Sequence, residues 1–171
     1  DVNSGEILAL ANLPSYDPNQ RGSRSGILLR NRSVTDIFEP GSTIKPFTTA
    51  LALHQGIVKP NTVIDTSPGY LTMGNARISD SHPHDLLTVS EVLAKSSNVG
   101  TVKIAMQMPA KALWEMFTQI GLGQQPHLGF PGAAAGRVRS YKTWRPIEQA
   151  TMSYGYGLSV SLVQMARAYM V

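Results

Sequence analysis

The stretch Glu39-Pro40-Gly41-Ser42-Thr43-Ile44-Lys45-Pro46-Phe47 constrains this chain more than any other. Pro40-Gly41 is a turn that delivers the chain to a helix predicted over residues 42–55, and Gly56 is placed to end it. Pro46 is tolerated because it lies near the first turn, where a lost amide donor matters least. Ile44, Phe47, Leu51 and His54 form the predicted buried stripe. Ser42 then sits at the helix mouth. Lys45 lies one turn further in on the same face, so the two side chains are expected to meet. A serine hydroxyl is a weak nucleophile until a base takes its proton, and a neutral lysine amine is such a base. The helix N-terminus offers free amide donors and the positive end of the dipole. These favour an oxyanion at Ser42 and, with burial, a lowered pKa at Lys45. The plainer alternative is a surface helix start with a solvated lysine, since Ser-x-x-Lys occurs about once by chance in a chain of this length.

The remaining pattern frames that helix. Asp1-Val2 runs into the turn Asn3-Ser4-Gly5 and the apolar run Ile7-Leu8-Ala9-Leu10, which reads as the second half of a β-hairpin. Val171 falls inside a helical pattern, so the chain is expected to be a piece of a longer one, with any membrane anchor upstream. Residues 12–25 read as a surface loop. Residues 57–85 read as irregular apart from a hairpin, with Leu71 and Met73 before Gly74-Asn75 and Ala76 and Ile78 after it. Thr88 and Glu91 have capping-box spacing and open a helix with Val89, Val92 and Leu93 on its apolar face. That pattern breaks at Ser96-Ser97-Asn98 and resumes over 99–106. Further helices are expected over 110–120, with Leu113, Met116, Phe117 and Ile120 inward, over 147–154, and after the capping pair Ser161 and Gln164. Residues 121–143 form a long connection, a kind of segment that is often functional.

A chain of 171 residues is enough for one domain with a core. It has no cysteine, which excludes disulfides, cysteine nucleophiles and thiolate metal sites. No apolar run approaches a membrane span. The net charge is +4, with Arg21, Arg24, Arg30 and Arg32 close together; a solvated loop explains them, since no nucleic-acid motif accompanies them. Ser96-Ser97-Asn98 is the second chemical signal: a hydroxyl able to pass a proton and an amide able to bond a substrate or a nearby lysine, against the reading of a polar turn. His82-Pro83-His84-Asp85 suggests a metal site but reads better as a polar turn before the capped helix. A Ser-His-Asp triad on Ser42 lacks the Gly-x-Ser-x-Gly elbow. Tyr154 and Tyr156, set between glycines, either line a binding wall or pack, and Trp114 and Trp144 read as packing residues.

Ser-x-x-Lys with Ser-x-Asn is the motif pair of penicillin-binding proteins and β-lactamases. The chain resembles the class B penicillin-binding proteins in Asp1-Val2-Asn3-Ser4-Gly5-Glu6-Ile7-Leu8-Ala9. Arg30-Asn31-Arg32 followed by Asp36, Phe38 and Glu39-Pro40-Gly41-Ser42-Thr43, then Lys95-Ser96-Ser97-Asn98-Val99-Gly100, then 150–158 are similar to the division-specific branch of Gram-negative bacteria. These matches span almost the whole chain. The resemblance implies an α+β class, with residues 1–171 as a partial transpeptidase fold holding mostly its helical part and the first strand of its sheet. It implies Ser42 as acylated nucleophile, Lys45 as general base, Ser96 as proton relay, Asn98 as holder of the substrate amide, and Ser97, Tyr154 and Tyr156 as substrate-binding. The implied substrate is a peptidoglycan stem peptide ending in D-Ala-D-Ala, and β-lactams are mimics of that end. Divisome partners, an inner-membrane tether and a periplasmic face are implied too, with no metal or organic cofactor and no nucleic acid. The isolated chain is expected to lack turnover.

Two departures stand out. The family's Lys-Thr-Gly is absent, since Lys142-Thr143 is followed by Trp144, and Ala133 follows Gly132 where relatives often carry Glu. A serine β-lactamase, a penicillin sensor without turnover and a structural divisome module remain as alternatives.

Overall fold

The computed structural model describes residues 1–20, 22 and 26–170; Arg21 and Arg24 of the basic cluster lie outside the described residues. Several of the helices start where a polar cap satisfies free amides. Asn31 caps α1 (Arg32–Thr35). Helix α2 (Lys45–His54) is preceded by a 3₁₀ turn over Gly41–Ile44. Pro46 has no N–H to give the Ser42 carbonyl, so that carbonyl takes the Lys45 amide instead, which tightens the first turn. Gly56, at φ +67°, ends the helix as expected. The Thr88–Glu91 capping box opens α3 (Val89–Ala94), and Ser97 caps α4 (Asn98–Ala105). Helices α5 (Ala110–Gln119), α6 (Pro146–Ser153) and α7 (Leu162–Ala168) follow, the last with the Ser161–Gln164 box in place.

The strands are short. The expected hairpin pairs β2 (Tyr70–Met73) with β3 (Ala76–Ser79), while β1 (Val63–Asp65) and β4 (Leu86–Thr88) pair antiparallel across it. That second pair falls in a region the sequence presents as irregular. Three residues are too few to show an alternation, and their partners are distant in sequence. Ile7–Leu10 is not a strand: a ladder needs a neighbour, and among the described residues none pairs with it, leaving its apolar side chains exposed.

Helix α2 is central. Ile44 joins a core with Leu113, Phe117, Leu122, Met152 and Val160, and Ala52 joins a second with Val89, Val92, Ile104 and Met108. The expected stripe holds in part, since Ile44 is buried and Phe47 and Leu51 pack against the first core. Phe47 and Leu51 are half-buried and His54 is exposed, whereas Lys45, Thr48 and Thr49 are buried. Surrounded on several sides, α2 buries a polar face as well. Thr48 Oγ1 meets its hydrogen-bonding need by donating to the Ser153 carbonyl at 2.8 Å. Among the described residues no helix is long and apolar enough to cross a membrane.

Candidate active site

A close backbone approach creates the mouth of the site. Gly41 N donates to the Gly155 carbonyl at 3.0 Å, and Gly157 N donates to Glu39 Oε1 at 2.8 Å. A Cβ on Gly155 would collide with the Gly41 carbonyl oxygen, and φ there is +91°. Only glycine allows this contact. It presents Tyr156 beside the turn that carries Ser42, and both line a polar cavity of about 210 Å³ with Asp80, Ser96, Ser97 and Asn98.

Lys45 stands behind that cavity, 1% exposed. Its Nζ donates to Ser96 Oγ at 2.9 Å and to the Ser96 carbonyl at 2.5 Å. Burial disfavours the ammonium form and brings the pKa down to about 8, against the opposing pull of the Asp80 carboxylate. Ser42 is exposed at the mouth, and among the described residues its hydroxyl has no hydrogen-bond partner. The expected direct Ser42–Lys45 contact is thus replaced by a Lys45–Ser96 contact, with Ser42 opening onto the same space.

Ser96 has φ +55°, and it is the only non-glycine residue at positive φ among the described residues. It ends α3. Ser97 N donates to the Val92 carbonyl and Ser96 N to the Leu93 carbonyl, the paired bonds of a helix end whose left-handed position usually belongs to glycine. A serine there is strained, and such strain persists where the surroundings hold it in place.

Asp80 is part of what holds it. Its Oδ2 accepts from Ser97 Oγ at 2.6 Å, and its Oδ1 accepts from the amides of Asn98 and Val99 at 2.5 and 2.9 Å. A carboxylate at a helix N-terminus is favourable, so Asp80 clamps the start of α4 to the end of β3. Sequence reasoning missed this residue because an acid after a hairpin gives no local sign of its partner. Asn98 Nδ2 donates to the Ser79 carbonyl at 2.9 Å, leaving its amide oxygen as an acceptor.

The other expected contacts divide. The Ser97 hydroxyl, expected to meet substrate, donates to Asp80 and accepts from Gly100 N at 2.8 Å, so it is engaged by the fold. Tyr154 is buried with Ile78, Val102 and Ala150 and backs Tyr156 with ring centroids 5.5 Å apart. Its packing follows from the apolar neighbours of α6, whereas Tyr156 beyond the glycine is half exposed.

A helix-tip hydroxyl, a buried amine and a hydroxyl–amide pair around one polar cavity form the equipment of serine acyl transfer. The chain is a member of the penicillin-binding protein family in its transpeptidase branch: the model described as "Penicillin binding protein transpeptidase domain" matches residues 1–171. It is 48% identical over 171 residues to a protein named probable peptidoglycan D,D-transpeptidase PenA from Neisseria flavescens, covering all of this chain and 42% of that one. It is 46% identical over 169 residues to the peptidoglycan D,D-transpeptidase FtsI of Escherichia coli K12, covering 99% of this chain and 28% of that one. Among solved structures, a peptidoglycan glycosyltransferase from Burkholderia ambifaria superimposes with a TM-score of 0.90 at 55% identity, covering 99% of this chain and 50% of that one. The apo TP domain of penicillin-binding protein 3 from Burkholderia pseudomallei gives 0.81 at 58%, covering 83% and 43%. The chain thus spans at most half the length of these relatives.

Proposed function

We propose that the protein carrying this chain is a peptidoglycan D,D-transpeptidase of septal wall synthesis that works through an acyl-serine at Ser42. The observation that supports this most is the Lys45 amine: enclosed, lowered in basicity and bonded to Ser96 on the wall of the cavity that Ser42 opens onto. In this reading neutral Lys45 takes the Ser42 proton as the oxygen adds to the penultimate D-Ala carbonyl of a stem peptide. The Ser42 amide, at the helix tip, is the proposed oxyanion donor. The proton passes from Lys45 through Ser96 to the departing D-Ala amine. The Asn98 amide oxygen accepts from the substrate amide, and Tyr156 forms the wall with Ser97 and Tyr154 in support. A neighbouring stem-peptide amine then takes the acyl group from Ser42, which completes a cross-link. A β-lactam opens on Ser42 by the same first step and remains bound. These steps need no metal or organic cofactor.

The septal role, divisome partners, an inner-membrane tether and a periplasmic face belong to the same proposal, and the likeness to FtsI supports them. In the intact protein, Ser42→Ala is expected to abolish covalent labelling by a fluorescent penicillin while the circular dichroism spectrum is retained. Undiminished labelling moves the nucleophile elsewhere.

A further inference from the structure

The turn His82-Pro83-His84, which the acylation steps leave unused, lies on the same cavity. His82, His84 and Lys95 line it together with Ser42, Ser96 and Asn98. An imidazole offers an N–H when neutral and a positive charge when protonated, and the lysine is a cation. The cavity's titratable lining is completed by Asp80 and Tyr156. Asp80 keeps its negative charge, but both of its oxygens already accept from donors at the start of α4. Two counter-charges lie near the turn and neither lines the cavity: Glu91 feels Lys95 and His84 but is bonded to Thr88, and Asp85, next to His84, accepts from Ser67 Oγ at 3.3 Å. Apart from the reacting serine and the Asn98 amide oxygen, His82, His84 and Lys95 bring donors and positive charge to the cavity.

Position indicates which part of the ligand meets them. Asn98 is tied through Nδ2 to Ser79, and the chain runs on from Ser79 through Asp80 and Ser81 to His82. A ligand whose amide is held at Asn98 carries its acyl side chain next to this turn. Resting on the Ser42 acylation reading, we propose that His82, His84 and Lys95 form an anion-recognising rim that selects acyl donors bearing a carboxylate on the acyl side chain. In the wall substrate this is a second carboxylate of the stem peptide, away from the scissile end.

The test uses the intact protein and two penicillins that differ by one group: carbenicillin, with a side-chain carboxylate, and benzylpenicillin, without it. The measured quantity is the ratio of their second-order acylation rate constants at Ser42, in which losses common to both cancel. The His82→Gln/His84→Gln variant is expected to lower the carbenicillin-to-benzylpenicillin ratio severalfold, and adding Lys95→Gln to bring the total to about tenfold, as a few exposed charge contacts would. The single variant His82→Gln, at an exposed position, serves where the multiple variants fold poorly and is expected to lower the ratio about twofold. An unchanged ratio with Ser42 still labelled overturns the rim alone. Failure of either penicillin to label Ser42 in the wild-type protein overturns the rim and the acylation reading together.

Discussion

At the scale of the residue, the proposed chemistry turns on one buried amine. Folding takes Lys45 from an ordinary value of 10.5 to about 8, because burial strips water from its charged form. At pH 7 about a tenth of it is then neutral and able to act as a base. Penicillin acylation should rise about tenfold per pH unit below that value and level off near pH 8, as read from a pH–rate profile. The same shift acts on stability with a definite sign. The folded pKa lies below the unfolded one, so folding disfavours the proton that Lys45 carries below pH 8. This penalty, on the order of 3 kcal/mol, is relieved as the pH rises from 8 towards 10.5. Lys45→Met should therefore lose acylation yet melt higher than wild type at pH 7, with the gap narrowing by pH 10. Thermal melts across that range are the check.

At the scale of the element, the site depends on how α3 ends and α4 begins. Ser96 occupies a left-handed position, and Asp80 secures the three residues after it. Asp80→Ala should remove about 1–2 kcal/mol of cap stabilisation and slow acylation severalfold. Because Asp80 raises the Lys45 pKa, its loss should also move the rising limb of the pH–rate profile to lower pH. A profile that falls in height without moving would separate the clamp from the charge. The loop after α6 is just as exacting. Gly155→Ala drives a methyl group into the Gly41 carbonyl at a backbone angle alanine avoids. It should cost more than about 2 kcal/mol and abolish penicillin labelling, because the Ser42 turn must move.

At the scale of the whole molecule, buried amides join segments that are far apart in sequence. Gln164 accepts from Ser161 N and donates to the carbonyls of Gly121, Gln124 and Ala135, so α7 organises the long connection after α5. Gln164→Leu strands these buried groups and should cost about 2–4 kcal/mol, with hydrogen exchange accelerating first over residues 121–136. Gln149 ties α6 to the end of α4 in the same way, through the carbonyls of Ala105 and Met108.

Local chemistry was legible in the sequence. The Thr88–Glu91 and Ser161–Gln164 boxes, the Gly56 stop, the Gly74-Asn75 hairpin and the helix face of Leu113 and Phe117 follow from bonds and packing within one turn or one element. The serine–lysine spacing was legible too, but not the contact: Ser42 lies on the 3₁₀ turn before α2 and Lys45 bonds Ser96. What only the tertiary structure decided depends on groups brought together from distant segments. Asp80 meets α4, Lys45 turns to Ser96, Gly155 meets Gly41, and α2 buries its polar face while Ile7–Leu10 finds no ladder. A hydrogen bond or a desolvated charge depends on what surrounds it in space. The sequence names the lysine, and only the folded packing around it makes it a candidate base.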